Sequence, residues 1–137
     1  MSRSLQDLSP EARAKCIEFQ ARARAAGIDV LVYHTFRTEA EHAELWAQGR
    51  TKPGPKVTWT KTSRHMVRDK NGKPASDAWD CVPMINGKTA WNAKKEYLTL
   101  GKIAQELGLR WGGNFDMDDT PFEKGECDSP HFVLIRK

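Results

Sequence analysis

Three short segments of the sequence carry side chains that could hold a metal ion and hydrolyse a bond. They are Ser-Arg-His at 63–65, Ala-Trp-Asp-Cys-Val-Pro at 78–83 and Asp-Ser-Pro-His at 128–131. Two imidazoles and a carboxylate can bind one zinc ion and leave a fourth tetrahedral position for water, which is typical of hydrolytic rather than structural zinc sites. A second carboxylate, Asp128, is then available as the base.

The composition is that of one soluble globular domain. At 137 residues the chain can bury roughly two thirds of the surface that it exposes when unfolded. No apolar run approaches the roughly 20 residues needed to span a bilayer, and the N-terminal segment lacks the apolar core of a secretory signal. We therefore expect a single catalytic domain over residues 1–137, without membrane insertion, that stays in the cytoplasm where it is made.

The net charge indicates which classes of partner the protein could bind, and the cysteines indicate which type of zinc site it could form. A net charge of +4 and a pI near 9.1 favour an anionic partner, either nucleic acid or bacterial cell wall. The basic residues are scattered and no nucleic-acid-binding motif is present, so nucleic acid is not expected. Cys16, Cys81 and Cys127 form no CxxC pair, which predicts reduced, mostly buried thiols and no thiolate zinc site.

The elements that must position these segments follow from capping residues and from hydrophobic periodicity. The pattern predicts three helices: one from Ser9-Pro10 to before Gly27, one opened by the capping box at 38–41 and ending near Gly49, and one over about 94–107. It predicts a buried strand over 28–35, a short strand at 57–60, a strand through Asp80 and a terminal strand at 132–135. A hairpin turn is predicted at 69–73. Without βαβ regularity, the expected class is α+β, with a mainly antiparallel sheet and about three flanking helices.

Six motifs in a fixed order run along most of the chain. They are Phe-Arg-Thr at 36–38, Gln-Gly-Arg-Thr at 48–51, Ser-Arg-His at 63–65, Ala-Trp-Asp at 78–80, Gly-Leu-Arg-Trp-Gly-Gly at 108–113 and Asp-Ser-Pro-His-Phe at 128–132. In order and residue type they resemble the zinc peptidases that include VanX/VanY-type D-alanyl-D-alanine peptidases and the L-alanyl-D-glutamate endopeptidases of phage lysins. The motifs at 48–51 and 108–113 look most like the phage branch. The resemblance implies a hedgehog/D,D-peptidase-like fold.

The same resemblance implies a role for each reactive side chain. His65, Asp80 and His131 would be the ligands of one zinc ion, and Asp128 would be the catalytic carboxylate. Because zinc lowers the pKa of a bound water from about 15.7 toward roughly 7, a carboxylate suffices to accept its proton. Arg37 would face the scissile carbonyl and stabilise the developing oxyanion.

Three further residues are candidates for substrate binding. Ser63 could contact the substrate directly or hydrogen-bond backbone near the site. Trp111 with Gly112 could line the cleft, where backbone approaches a peptide, or could belong to the core and a turn. His34 and His42 lie outside the matching motifs, and we expect them to be structural or surface residues.

The middle motif departs from the family pattern. Family members usually place the aspartate closer to the first histidine, whereas here Asp80 follows His65 by fifteen residues. The extra residues fall on the turn at 69–73, and a longer turn would leave both ends in place. Asp77 competes for the ligand role, and alternation puts residues 77 and 80 on opposite strand faces. The apolar flank favours Asp80, while Ser76 stands where the family usually has a glycine.

The expected function is a zinc metallopeptidase that hydrolyses the stem peptide of bacterial peptidoglycan, between L-alanine and D-glutamate. We expect it to act as a monomeric phage or prophage endolysin that accumulates in the host cytoplasm until a separate membrane lesion releases it to the wall. One alternative is a D-alanyl-D-alanine carboxypeptidase or dipeptidase. Another is a non-catalytic, zinc-stabilised wall-binding module, which Asp128 and Arg37 argue against because a structural zinc site usually takes a fourth protein ligand.

Overall fold

The computed structural model describes residues 1–56, 58, 61–113 and 129–136. Its elements, in chain order, are α1 (Pro10–Ala25), β1 (Asp29–His34), α2 (Glu39–Ala47), β2 (Ala78–Ile85), β3 (Lys88–Thr89), α3 (Lys94–Glu106), β4 (Leu109–Trp111) and β5 (His131–Leu134), with short 3-10 helices at Leu5–Asp7 and Arg64–Met66. Among these described ranges, no helix has the length and apolar character needed to cross a membrane.

The strands form one five-stranded sheet in the order β1-β2-β5-β4, with β3 paired to the end of β2. Every pairing between these strands is antiparallel. The expected α+β class with a mainly antiparallel sheet is therefore confirmed. The sequence pattern does not predict β3 and β4, because strands of two and three residues are too short to show a period.

Local capping residues set the starts of α1 and α2 as predicted. The Ser9 hydroxyl accepts a hydrogen bond from the Ala12 amide at the start of α1, directly before Pro10. The Thr38 hydroxyl and the Glu41 carboxylate form a reciprocal capping box that opens α2. These caps fix the helix starts on either side of β1, the strand that leads to Arg37.

The segment between α2 and β2 is partly described. Val57, Trp59 and Thr60 of the predicted strand at 57–60 lie outside the described residues. The predicted turn is present, since the Asp69 amide donates to the Lys73 carbonyl over 2.9 Å. The turn is flanked by one isolated antiparallel β-bridge, between Arg68 and Pro74, and not by two full strands.

The core lies between one face of the sheet and helices α1 and α3. Phe19 of α1 packs against Phe132 and Trp79, with ring centroids 4.7 and 5.9 Å away. Trp79 pairs with Phe132 across the sheet, and Asp80 pairs with His131 one residue further along. Because successive side chains of a strand point to opposite faces, the buried aromatic pair directs Asp80 and His131 to the face away from the helices.

Candidate metal centre

Asp80 lies at the meeting point of three histidines. Its Oδ1 atom is 3.2 Å from His131 Nδ1 and 3.5 Å from His65 Nε2. Its Oδ2 atom is 2.9 Å from His34 Nδ1. The structure thus brings together the three residues expected to bind zinc, although fifteen residues separate His65 from Asp80 and fifty-one separate Asp80 from His131.

The separations around Oδ1 fit a tetrahedral zinc site. Two ligand atoms that each lie about 2.0–2.1 Å from a tetrahedral ion are about 3.3–3.4 Å apart. The distances from Asp80 Oδ1 to His131 Nδ1 and His65 Nε2, 3.2 and 3.5 Å, bracket that value. The 2.9 Å contact of His34 has the length of an ordinary hydrogen bond. His34, His65 and Asp80 also form a compact group, with one ligand atom from each within 4.8 Å of the others.

The tautomer of His65 suits a metal ligand. Its Nδ1 atom lies 2.7 Å from the Thr35 carbonyl oxygen, which can only accept, so the ring hydrogen is on Nδ1. Nε2 then carries a lone pair, and this buried atom has no hydrogen-bond partner in the described part of the chain. Burial lowers the pKa of His65 below its ordinary value, so the ring is neutral at pH 7, as metal binding requires.

The charge of Asp80 follows from its three histidine neighbours. Burial by itself would raise the pKa of the carboxyl group, but hydrogen bonds from His131 and His34 outweigh it and hold the pKa well below its usual range. Asp80 is therefore ionised. An anionic oxygen beside neutral imidazole nitrogens is a donor set that zinc prefers.

Asp77, the competing aspartate, is engaged elsewhere. Its carboxylate accepts hydrogen bonds from the Ser9 hydroxyl at 2.8 Å, from Arg64 Nη2 at 2.8 Å, and from Arg136 Nε and Nη2 at 2.8 and 2.7 Å. The side chain is 1% exposed. Asp77 thus joins the start of α1, the segment before His65 and the residues after β5. This geometry favours Asp80 as the ligand.

The long interval between His65 and Asp80 folds back on itself. The Ala75 amide donates to the Val67 carbonyl over 2.9 Å, so the segment that contains the turn at 69–73 leaves and returns at the same place. Ser76, in the position where the family usually has a glycine, is buried and donates its hydroxyl to the Ala78 carbonyl over 2.6 Å. The extra residues therefore form an excursion that does not move His65 and Asp80, the two predicted ligands, apart.

Arg37 is anchored beside the histidine cluster. Its backbone amide donates to the His65 carbonyl over 3.0 Å. Its Nη1 atom lies 3.0 Å from Nδ1 of His42, and since a guanidinium only donates, the imidazole accepts. His42 is 2% exposed. The histidine on α2, which the sequence suggested only as a structural or surface residue, is thus a buried support for Arg37.

Of the two uses open to Trp111, the structure shows the core one. The side chain is 3% exposed and packs within the main hydrophobic cluster. The indole fits because Gly101 and Gly113 have no side chains, and an added Cβ at either would lie 2.3 Å from a ring carbon. Trp111 Nε1 donates to the Ser129 carbonyl over 2.7 Å. The residue therefore supports the chain just before His131.

Gly112 and Ser63 also make backbone contacts next to ligands. The Gly112 amide donates to the His131 carbonyl over 2.8 Å, which engages its N–H within the protein. The Ser63 hydroxyl accepts from the His65 amide over 3.2 Å and caps the 3-10 helix at Arg64–Met66. Of the two uses open to Ser63, the structure shows the backbone one. Both residues hold a predicted ligand in place.

Some predicted residues lie outside the described part of the chain, and one residue at the site was not predicted. Asp128, the expected catalytic carboxylate, and Cys127 lie outside the described residues. Cys16 and Cys81 are buried free thiols, as predicted.

His34 was not expected at the site. The sequence signal was an imidazole among apolar residues in a strand predicted to be buried, and it does not reveal which carboxylate the imidazole would meet. In the structure β1 is only partly buried, with Val32 and His34 inside and Leu31 exposed.

Comparisons with known proteins identify the family of this chain. No family model matches the chain. The peptidoglycan L-alanyl-D-glutamate endopeptidase CwlK of Bacillus subtilis is 32% identical over 139 residues, which cover 94% of this chain and 74% of CwlK. The chain belongs to the VanX/VanY-like peptidase family. The sequence-based assignment to this family is confirmed.

A solved structure supports the fold of this family member. The crystal structure of the Serratia marcescens L-Ala D-Glu endopeptidase ChiX matches with a TM-score of 0.64 and 23% sequence identity. The match covers 98% of this chain and 87% of ChiX. The sheet and helices described above are therefore the fold that this VanX/VanY-like protein shares with ChiX.

Proposed function

We propose that this protein is a zinc-dependent endopeptidase that hydrolyses the L-alanyl-D-glutamate bond of bacterial peptidoglycan, within one catalytic domain over residues 1–137. The observation that carries the proposal is the approach of His65 Nε2 and His131 Nδ1 to Asp80 Oδ1 at metal-site separations. The bond is chosen because CwlK, 32% identical, has this activity in its name.

The three residues would hold one zinc ion through two neutral imidazole nitrogens and one anionic oxygen. When bound, zinc supplies a Lewis acid that polarises the scissile carbonyl and activates water. Three protein ligands leave a position for reactants, as in catalytic rather than structural zinc sites. Thr35 fixes the ring of His65 from behind, and Gly112 holds the backbone of His131.

Two further residues would act on the reacting groups. Arg37, fixed by His42 and by the His65 carbonyl, would place positive charge near the carbonyl oxygen as negative charge develops. Asp128 would take a proton from the attacking water and deliver it to the leaving amine. An Asp128→Ala protein should bind zinc and fail to hydrolyse peptide; full activity would remove Asp128 from the mechanism.

Digestion of purified peptidoglycan, followed by mass spectrometry of the products, tests the choice of bond. The proposal predicts new N-terminal D-glutamyl fragments and stems that end at L-alanine. Release of terminal D-alanine alone would instead show the D-alanyl-D-alanine carboxypeptidase or dipeptidase. Intact wall that retains the protein would show the non-catalytic binding module.

We extend the proposal to a phage or prophage endolysin that acts as a monomer on the wall after release from the host cytoplasm. The resemblance of the motifs at 48–51 and 108–113 to the phage branch supports it, as does the net charge of +4, which suits an anionic wall. The protein should lyse cells only when the membrane has been permeabilised. Salt should weaken its binding to isolated wall by screening, and salt-insensitive binding would refute the electrostatic part.

A further inference from the structure

His34 contacts the oxygen of Asp80 that faces away from the proposed ligands. Its Nδ1 atom is 2.9 Å from Oδ2, whereas the contacts of His65 and His131 are with Oδ1. An ionised carboxylate only accepts hydrogen bonds, so the Nδ1–H group of His34 is the donor. The two oxygens of Asp80 thus have separate partners.

A β-bulge brings His34 to this position. Along β1, Leu31 pairs with Val82 and Val32 with Cys81, so an unbroken register would place Tyr33 opposite Asp80. The register shifts after Val32, and His34 pairs with Asp80 instead. One extra residue in a strand re-aims the side chains that follow it, and such bulges occur preferentially beside active sites. The position of His34 depends on this irregularity.

The ring of His34 is held on more than one side. The residue is 3% exposed, and its ring stacks on that of His65 with centroids 4.1 Å apart and planes at 11°. Its Nε2 atom is buried and, among the described residues, has no hydrogen-bond partner. With the hydrogen on Nδ1, Nε2 carries only a lone pair, so no buried N–H group of the ring is left unsatisfied.

We propose that His34 is a positioning residue for the metal centre. By holding Oδ2, it stops the Asp80 carboxylate from rotating and keeps Oδ1 directed at the nitrogen atoms of His65 and His131. Groups that orient a metal ligand from behind in this way typically change metal affinity by about 10- to 100-fold when they are removed. The inference rests on the proposed zinc function, but it concerns the affinity for the metal.

Zinc binding to the purified chain, measured by competition with a chelating dye, tests the proposal without any wall substrate. His34→Leu removes the donor at similar volume, and the affinity should fall about 10- to 100-fold. His34→Asn places an amide N–H close to the position of Nδ1, so its affinity should stay within about threefold of wild type. Unfolding of the metal-free proteins by urea should show that both variants fold.

The matched control is His42→Leu. His42 is also buried, at 2% exposure, but its Nδ1 atom contacts Arg37 and not Asp80. Its zinc affinity should be that of wild type. Wild-type zinc affinity in His34→Leu would overturn the proposal. An equal loss of affinity in His34→Leu and His34→Asn would also overturn it, because an amide N–H would not rescue a residue that is a direct ligand or that only fills space.

A second variant keeps the test decisive if His34→Leu does not fold. His34→Gln retains a polar amide but carries it to the position of Nε2, beyond reach of Oδ2, so it should bind zinc as weakly as expected for the leucine variant. Wild-type affinity in His34→Gln would overturn the proposal. Failure of the wild-type chain itself to bind zinc would refute the proposed function. If wild type binds zinc and the His34 variants bind it with the same affinity, only this inference is refuted.

Discussion

The Nδ1 atom of His65 lies 2.7 Å from the carbonyl oxygen of Thr35. This backbone contact cannot be removed by mutating a side chain, and it fixes both the tautomer and the direction of the imidazole. Nε2 is consequently presented toward Asp80 with a lone pair. The residue after β1 thus orients a proposed ligand that belongs to a different segment of the chain.

Metal content distinguishes the two buried aspartates. Asp80→Ala removes the oxygen on which the histidine nitrogens converge, so its zinc affinity should fall by more than the roughly 100-fold typical of residues behind the ligands. Asp77→Ala should retain zinc, because Asp77 contacts two arginines and a serine. Metal analysis after dialysis, on variants shown to be folded, measures both. Zinc retained by the first variant and lost by the second would reverse the assignment.

Asp77 should matter for stability and for its pH dependence. Burial tends to raise the pKa of this carboxyl group, but hydrogen bonds from Arg136 and Ser9 and the charge of Arg64 lower it below 3.8 in the folded state. Hydrogen bonds to a charged group are worth about 1.5–3 kcal/mol, and the arginines are half-exposed. Asp77→Asn should therefore lower the unfolding free energy of the metal-free protein by about 2–3 kcal/mol at pH 7.

The sign of the pH effect follows from the lowered pKa. Because the folded state binds the proton less readily than the unfolded chain, the contribution of Asp77 is complete above pH 3.8 and is lost as the pH falls through the folded pKa. Urea unfolding of wild type and Asp77→Asn should show a constant difference from pH 7 to about 5 and a smaller one below about 4. A difference that grows in acid would contradict this role.

Gly101 provides space for Trp111. In Gly101→Ala the new Cβ would lie 2.3 Å from a ring carbon of Trp111, so the core must shift, at a cost of about 1–3 kcal/mol. The same substitution should cost less in a Trp111→Phe background, where the ring is smaller. Thermal unfolding of the two single variants and the double variant gives the coupling. Additive effects would show that the two residues do not compete for the same volume.

Arg37 should affect turnover and leave the metal in place. Loss of one group that stabilises a developing oxyanion typically lowers kcat by about 100- to 1,000-fold. Arg37→Ala should show such a decrease on wall peptides with wild-type zinc content. Arg37→Lys keeps the positive charge but loses the forked pair of guanidinium donors, so its kcat should lie between those of wild type and Arg37→Ala. Zinc loss in Arg37→Ala would instead point to a structural role through its contact with His65.

Local signals in the sequence predict the helices well. Ser9 and the Thr38–Glu41 pair mark helix starts because capping involves residues only a few positions apart. The meeting of His65, Asp80 and His131 was also predictable, but through the order of family motifs and not through any local rule.

The features that the sequence did not predict, or left open, depend on distant pairings. The bulge that aims His34 at Asp80 exists only relative to the register of β2. Burial of Trp111 depends on Gly101, in another element, having no side chain. The hydrogen bonds that hold the Asp77 carboxylate depend on Arg136, which lies near the C-terminus. Periodicity and propensity describe neighbours along the chain, so they cannot show these contacts.

Cleavage of purified peptidoglycan by the chain before and after removal of zinc tests the central claim most directly. Mass spectrometry of the soluble products should show hydrolysis between L-alanine and D-glutamate by the zinc-loaded protein and none after a chelator. Activity should return when one zinc ion per chain is restored to wild type, and should not return in Asp80→Ala. Undiminished cleavage of that bond by chelated, metal-free protein would contradict the account.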